Sequence, residues 1–501
     1  MLTACGGGST ETAAVVANPT PARGTLLQNP PGLVTVTAPN LLLKIGASVD
    51  RQLLALAGTP LCDIAVFHIR YQTVGGAAEP TTASGALMVP TGADARCRGA
   101  LPIVLYAHGT TTNRAFNIAD LNDSANAEGL YVAAFFAARG YIVVAPNYAG
   151  YDTSTLGYHA YLNADQQSKD MIDALTAART ALATPVVPLT SDGRRLYVTG
   201  YSQGGYVAMA THRAMQAAGM AVTASAPMSG PYAMAAFVDQ VFAGRVVAGA
   251  PVVSTLLLAS YQKSYGDIYA ASTDIFTAQY ATGIESLLPS TIARGELYAQ
   301  GKLPQNALFS ATAPDPAFAA VTPATTPVSL ASVYARGFGA AHLITNAYRL
   351  RYLRDAETNP DGGWPVASTG IPAASPALAL RQALRRNDLR TWSPAAPTLL
   401  CGGSADPSVS WTNTQLMASY WSANPTPALS FRLLDVDSGA TVNDPYASLK
   451  RSFATARDLV AAVAVAQGAT DRGASAVSDA YHATLVAPIC LSAVREFFAT
   501  Q

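Results

Sequence analysis

Five residues, Gly200-Tyr201-Ser202-Gln203-Gly204, have the G-x-S-x-G spacing of a nucleophile elbow. In such an elbow a strand turns so sharply into a helix that side chains at the two glycine positions would clash. The serine then projects from strained backbone at a helix N-terminus. The apolar run "RLYVTGY" before the serine and the small and apolar residues of "GGYVAMATHRAM" after it are what that strand and helix require. Ser202 is the candidate nucleophile, and Gly200 and Gly204 are the glycines of the turn.

A serine nucleophile needs a base and a group that orients the base, and after an elbow these follow in the order Ser, Asp or Glu, His. The chain has 6 histidines. His68, His108 and His159 precede Ser202, His212 lies in the helix just after it, and His342 falls in a long insertion. His482 remains, in an expected loop ahead of a helix starting at Pro488. For the acid, Asp406 directly follows the apolar run "PTLLCGG", and Asp435 and Asp437 after the next strand compete with it. An oxyanion hole needs two backbone N–H donors aimed at the developing charge. Gln203, one residue past the nucleophile, is the first. The loop "YAHGTTTN" supplies the second, Thr110, with Thr111 as alternate, and His108 is expected to brace that loop. Such a set performs acyl transfer through an acyl-enzyme. It calls for no metal and no organic cofactor, and no C-x-x-C or clustered His/Cys spacing points to zinc.

These residues must be positioned by a sheet. "LPIVLYAHG", "YIVVAPNY", "RLYVTGYS" and "TASAPMSG" are apolar runs of the kind found in strands covered on both faces. Helical segments over about 124–139, 164–182 and 204–218 separate them. This alternation predicts a mostly parallel, doubly wound α/β sheet. Ahead of it, "NLLLKIGASVDRQLLALAG" (40–58) reads as a helix, and "DIAVFHIRYQTVGG" and "TASGALMVPTG" as paired antiparallel strands. After residue 230 the alternation stops, and it resumes at "APTLLCGGSADPS". The expected organisation is a tether over 1–40, a core over 41–230 and 391–501, and a helical cap inserted at 231–390.

The chain is 501 residues long, 50% hydrophobic and 12% charged, with 31 basic and 31 acidic residues. A balance of zero net charge draws it neither to nucleic acid nor to anionic lipid. A monomer is expected. The longest apolar stretch of the insertion, "VVAGAPVVSTLLLAS", is broken by Pro251 and reads as part of the cap. The opening Leu2-Thr3-Ala4-Cys5 resembles the lipobox of bacterial lipoproteins, without the charged and apolar segments of a signal, so a truncated lipobox with lipidation and membrane anchoring at Cys5 is expected. Of the 5 cysteines, the other four allow three pairings. Cys62–Cys97 would flank one hairpin. Cys401–Cys490 would tie the loop of the acid to the region of the histidine. Paired cysteines place the protein outside the cytoplasm, in the cell envelope or secreted.

The stretches "YQTVGG…TTASGALMVPTG", "YAHGTT", "GYIVVAPNYAGY", "GYSQGG", "CGGSADPSV" and "YHATLVAPICL" together resemble the secretory lipase (LIP-type) family of α/β-hydrolases over about residues 60–500. The resemblance implies the α/β-hydrolase fold, a Ser202–Asp406–His482 triad, a helical cap and hydrolysis of carboxylic esters. The chain departs from that family in its His-Gly oxyanion loop and its lipoprotein-like start. The expected substrate is a small-molecule, lipid or polyester ester, bound against the apolar and aromatic residues of the cap. The competing readings are a serine peptidase of the same fold and a non-catalytic surface-binding lipoprotein.

Overall fold

The computed structural model describes residues 21–29, 31–47, 56–123, 127–184, 190–366 and 370–501. Cys5 and the expected lipobox lie outside the described residues. Nine strands form one sheet: β1 (Gly32–Val36), β2 (Asp63–Val74), β3 (Pro80–Thr91), β4 (Gly99–Ala107), β5 (Ile142–Pro146), β6 (Thr190–Tyr201), β7 (Ala224–Met228), β8 (Thr398–Gly402) and β9 (Phe431–Asp435). Their spatial order is β1-β2-β3-β5-β4-β6-β7-β8-β9. The pairs from β1 to β5 through β2 and β3 are antiparallel, and every pair from β5 to β9 is parallel.

The central strands are apolar for a reason. β5, β7 and β8 are buried at every residue, since helices cover both faces of a parallel sheet. The helices Ala164–Leu182 and Gln203–Ala217 pack on each other and on the sheet. The first is capped by Asn163, whose side chain accepts the Gln166 N–H at 3.1 Å, satisfying one of the free donors of its first turn.

Three expectations need correction. Residues 32–36 are not tether: "GLVTV" pairs with β2 along its whole length as the outer edge strand, because β-branched residues favour extended backbone. The expected helix at 40–58 runs from Ala38 to Ala47, and residues 48–55 lie outside the described residues. His482 is not in a loop. It sits in a π-helical turn, Tyr481–Val486, inside one continuous helix, Ala474–Phe498. The turn directly precedes the helix Ala487–Phe498 with Pro488 in its first turn. Proline offers no N–H and its ring crowds the carbonyl four residues back, so the ladder widens there into a π-bulge. By composition this long helix could cross a membrane, but 61% of its apolar stretch is buried inside the protein. It is a core helix packed on β6, β7 and β8.

The residues between β7 and β8 form a string of helices, among them Met234–Phe242, Ala250–Tyr265, Asn346–Thr358 and Ala379–Arg386. Buried charge pairs hold them. Arg381 donates to Asp239 at 2.8 Å, and Arg390, fully buried, meets Asp361 at 2.6 Å and Asp388 at 2.8 Å. Removing one partner of such a pair would leave an uncompensated charge in the interior. This insertion also pairs with the core: Ser290 N–H donates to Thr112 O at 2.8 Å, and Arg114 N–H to Ser290 O at 2.9 Å.

Both expected disulfides form, Cys62–Cys97 and Cys401–Cys490. The second joins the end of β8 to the helix that carries His482, across 89 residues of chain. The Cys401→Ser/Cys490→Ser double variant should lose about 2–5 kcal/mol of stability by denaturant unfolding. An unchanged unfolding midpoint would show that this cross-link adds nothing.

Candidate active site

β6 ends at Tyr201, and the chain enters the helix Gln203–Ala217 within one residue. That residue is Ser202, at φ 60° and ψ −121°. A non-glycine residue there costs about 1–3 kcal/mol of backbone strain, and surrounding contacts must hold it. A Cβ on Gly204 would lie 1.9 Å from the Ala107 carbonyl oxygen, and one on Gly200 would lie 2.4 Å from it. The absence of both side chains lets the elbow press directly on the end of β4. Ser202 N–H donates to Met228 O at 3.0 Å, fixing the turn to β7.

β8 and the π-turn bring the other two residues together. His482 Nδ1 lies 2.6 Å from Asp406 Oδ2. The other carboxylate oxygen accepts the N–H groups of Ser408 at 2.8 Å and Val409 at 3.0 Å. A buried carboxylate held by three donors keeps Nδ1 protonated and leaves Nε2 as the basic nitrogen. His482 Nε2 is buried and has no hydrogen-bond partner among the described residues. Tyr201, next to the serine, donates its hydroxyl to the His482 carbonyl. The competing acids are engaged elsewhere. Asp435 accepts from the Ser404 and Asp437 amides, while Asp437 pairs with Arg457 and accepts the Tyr481 hydroxyl.

The loop after β4 runs past the elbow. His108 spans it, with Nδ1 2.7 Å from Gly109 O and Nε2 3.1 Å from Asn147 O, its ring stacked on Tyr148. Burial pushes its pKa down to about 4, so it stays neutral and braces the loop. The Gly109 amide donates to the Glu128 carboxylate. The Thr110 and Gln203 amides donate to no acceptor among the described residues. The Thr110 hydroxyl meets Tyr161 at 2.8 Å, and the Gln203 side chain meets His159 Nε2 at 2.8 Å.

Ser202, Gln203, Thr110 and His482 line one cavity of about 390 Å³. Its remaining wall is mostly apolar, from Met234, Phe237, Val238, Val241, Leu257 and Leu258 of the insertion. Two further polar groups escaped the sequence reading, Glu128 on this wall and His159 behind Gln203. His159 anchors Gln203, and burial pushes its pKa down to about 3. Glu128 stands in the first turn of the helix Ala127–Phe135. In sequence it is one acid in "NAEGLYVAAFF", which reads as an exposed cap residue. Only its placement after the oxyanion strand could have marked it.

Residues 130–263, which span the elbow, match the Prolyl oligopeptidase family. The rice cell wall degrading esterase LipA from Xanthomonas oryzae has a crystal structure similar to this one, with 25% identity, a TM-score of 0.67, and coverage of 95% of this chain and 98% of that chain. A hydrolase structure from Legionella pneumophila aligns over 81% of this chain and 91% of its own at 20% identity and a TM-score of 0.58, a likeness of fold alone. No curated protein matches the chain in sequence. The sheet order, the elbow and these likenesses agree: the chain has the α/β-hydrolase fold and is a serine hydrolase built on it.

Proposed function

We propose that the protein hydrolyses carboxylic esters through Ser202, His482 and Asp406. The observation that carries this reading is the Asp406–His482 hydrogen bond, with Nε2 left unpaired at the wall of the cavity that Ser202 also lines. As Ser202 Oγ attacks the ester carbonyl, His482 Nε2 takes its proton, and Asp406 stabilises the imidazolium. The carbonyl oxygen becomes an oxyanion, which the Gln203 and Thr110 amides bind. His482 then gives the proton to the departing alcohol. Water, deprotonated by His482, attacks the acyl-enzyme and releases the carboxylic acid and free Ser202.

The apolar wall favours an apolar acyl group, lipid or polymer-borne, because burying such a chain there removes its surface from water at about 25 cal/mol per Å². The likeness to a cell wall degrading esterase supports an ester over an amide. A serine peptidase is the second reading, favoured by the family match at 130–263. That match is centred on the elbow and its flanking helices, which both chemistries share. The two disulfides support a place outside the cytoplasm, with Cys5 as a lipid anchor testable by mass spectrometry of the natural form.

Turnover of nitrophenyl butyrate and of a peptidyl nitroanilide separates the readings. Wild type should cleave the ester, and Ser202→Ala or His482→Ala should lower kcat by at least about four orders of magnitude. Asp406→Asn should lower it by about 10⁴-fold by mis-setting the imidazole tautomer. Full activity in Ser202→Ala would end the proposal. Collapse in Asp437→Asn beside an active Asp406→Asn would move the acid to β9.

Val241→Trp tests the acyl wall. It should lower kcat/KM for nitrophenyl palmitate by about 10-fold or more while sparing the butyrate, since a blocked pocket forfeits only the burial of the longer chain. An equal loss for both esters would place the acyl chain elsewhere.

A further inference from the structure

Among the described residues, Glu128 is the one carboxylate on the cavity wall, and the proposed mechanism does not use it. Three hydrogen bonds converge on it. Both of its oxygens lie 3.0 Å from the Gly109 N–H, and Oε1 also accepts the Tyr106 hydroxyl at 2.7 Å. Tyr106 is the penultimate residue of β4, and Gly109 immediately precedes Thr110. The carboxylate therefore clamps the loop on both sides of its turn. A Cβ on Gly109 would lie 3.4 Å from Glu128 Oε2 and 3.8 Å from Ser202 Cβ, so the clamp is built against the serine itself.

The clamp has a geometric effect. With its N–H turned toward Glu128, Gly109 is withdrawn as an oxyanion donor, and the next amide, Thr110, has no acceptor among the described residues. We propose that Glu128 is a positioning residue: by holding Gly109 and Tyr106 it sets the Thr110 amide toward the oxyanion, and it does so in its ionised form. This rests on the ester-hydrolase reading above.

The charge state matters because only the carboxylate can accept all three bonds. A proton on Oε1 introduces a donor that competes with Tyr106 and Gly109, and a proton on Oε2 weakens the share of the Gly109 N–H held there. The titratable groups facing Glu128 are Tyr106, Tyr148 and His482. Burial raises its pKa to about 7, against the hydrogen bonds from Tyr106 and Gly109 and the nearby His482, which lower it. Above that pH the clamp is closed, and as pH falls through it the clamp loosens. Ionised Glu128 also favours the imidazolium that His482 becomes, so both effects lower activity on the acid side.

The test compares wild type, Glu128→Gln and Tyr106→Phe with nitrophenyl butyrate, after thermal unfolding confirms each variant as folded. Labelling of Ser202 by diethyl nitrophenyl phosphate, followed by mass spectrometry, reports on the underlying reading independently. Glu128→Gln should lower kcat by about 10-fold or more with KM nearly unchanged, since a displaced oxyanion donor is felt in the transition state. Below neutral pH, log kcat/KM of wild type should fall more steeply than that of Glu128→Gln, the difference in slope approaching about one. If Glu128→Gln does not fold, Tyr106→Phe decides, with a smaller fall in kcat and the same constant KM. A labelled, folded Glu128→Gln with kcat within about twofold of wild type or with the wild-type slope, or a labelled, folded Tyr106→Phe with wild-type kcat, overturns the positioning role. Absence of Ser202 labelling in wild type overturns instead the reading beneath it.

Discussion

The contact on which the site depends is the approach of the elbow to the end of β4, where Gly200 and Gly204 leave no room for a Cβ beside the Ala107 carbonyl. That closeness has two results. It holds Ser202 at a positive φ, which costs a non-glycine residue strain, and it brings the loop that follows Ala107 alongside the serine. The proposed nucleophile and oxyanion donor are thus placed by one packing event between two parallel strands. Separate elements would each have carried their own positional error. Gly205 extends the contact on the other side, where a Cβ would meet the Met228 carbonyl at 2.2 Å, seating the helix directly on β7.

The other half of the site is held by different means. Asp406 is fixed by backbone amides of its own loop, and His482 by a widened helical turn. The Cys401–Cys490 disulfide joins the strand before the one to the helix of the other. Preorganisation of this sort lowers the reorganisation that the charged transition state would otherwise demand. The apolar wall comes from an insertion that could not fold onto the core by hydrophobic contact alone without specifying its orientation. Buried arginines such as Arg349, which donates to the carbonyls of Phe242 and Val321, supply fixed anchor points near the cavity.

Much of this was readable from the residues. Apolar runs covered on both faces give the central strands, because burial on two sides removes polar alternation. The elbow around Ser202 was legible from its short pattern, while the cysteine pairing was one of three that the sequence allowed, favoured by position along the chain. The association of Asp406 with His482 was legible by elimination among few histidines. The π-turn was not, since its cause is a single proline acting on the ladder behind it, and helix periodicity does not register a one-residue slip. β1 was hidden by its setting: an exposed edge strand shows no buried face, and its neighbours are turn-forming residues. Glu128 was hidden because its role arises from packing between β4 and a helix, and a lone acid in a first helical turn is ordinary.

The pairing of Ser290 with Thr112 and Arg114 has a mechanical meaning. Along this edge the insertion is hinged to the same loop that carries Thr110. Swinging it away here would break two backbone hydrogen bonds and pull that loop off the serine. This edge is thus a fixed jaw beside the cavity, and the insertion and the loop of Thr110 keep one register.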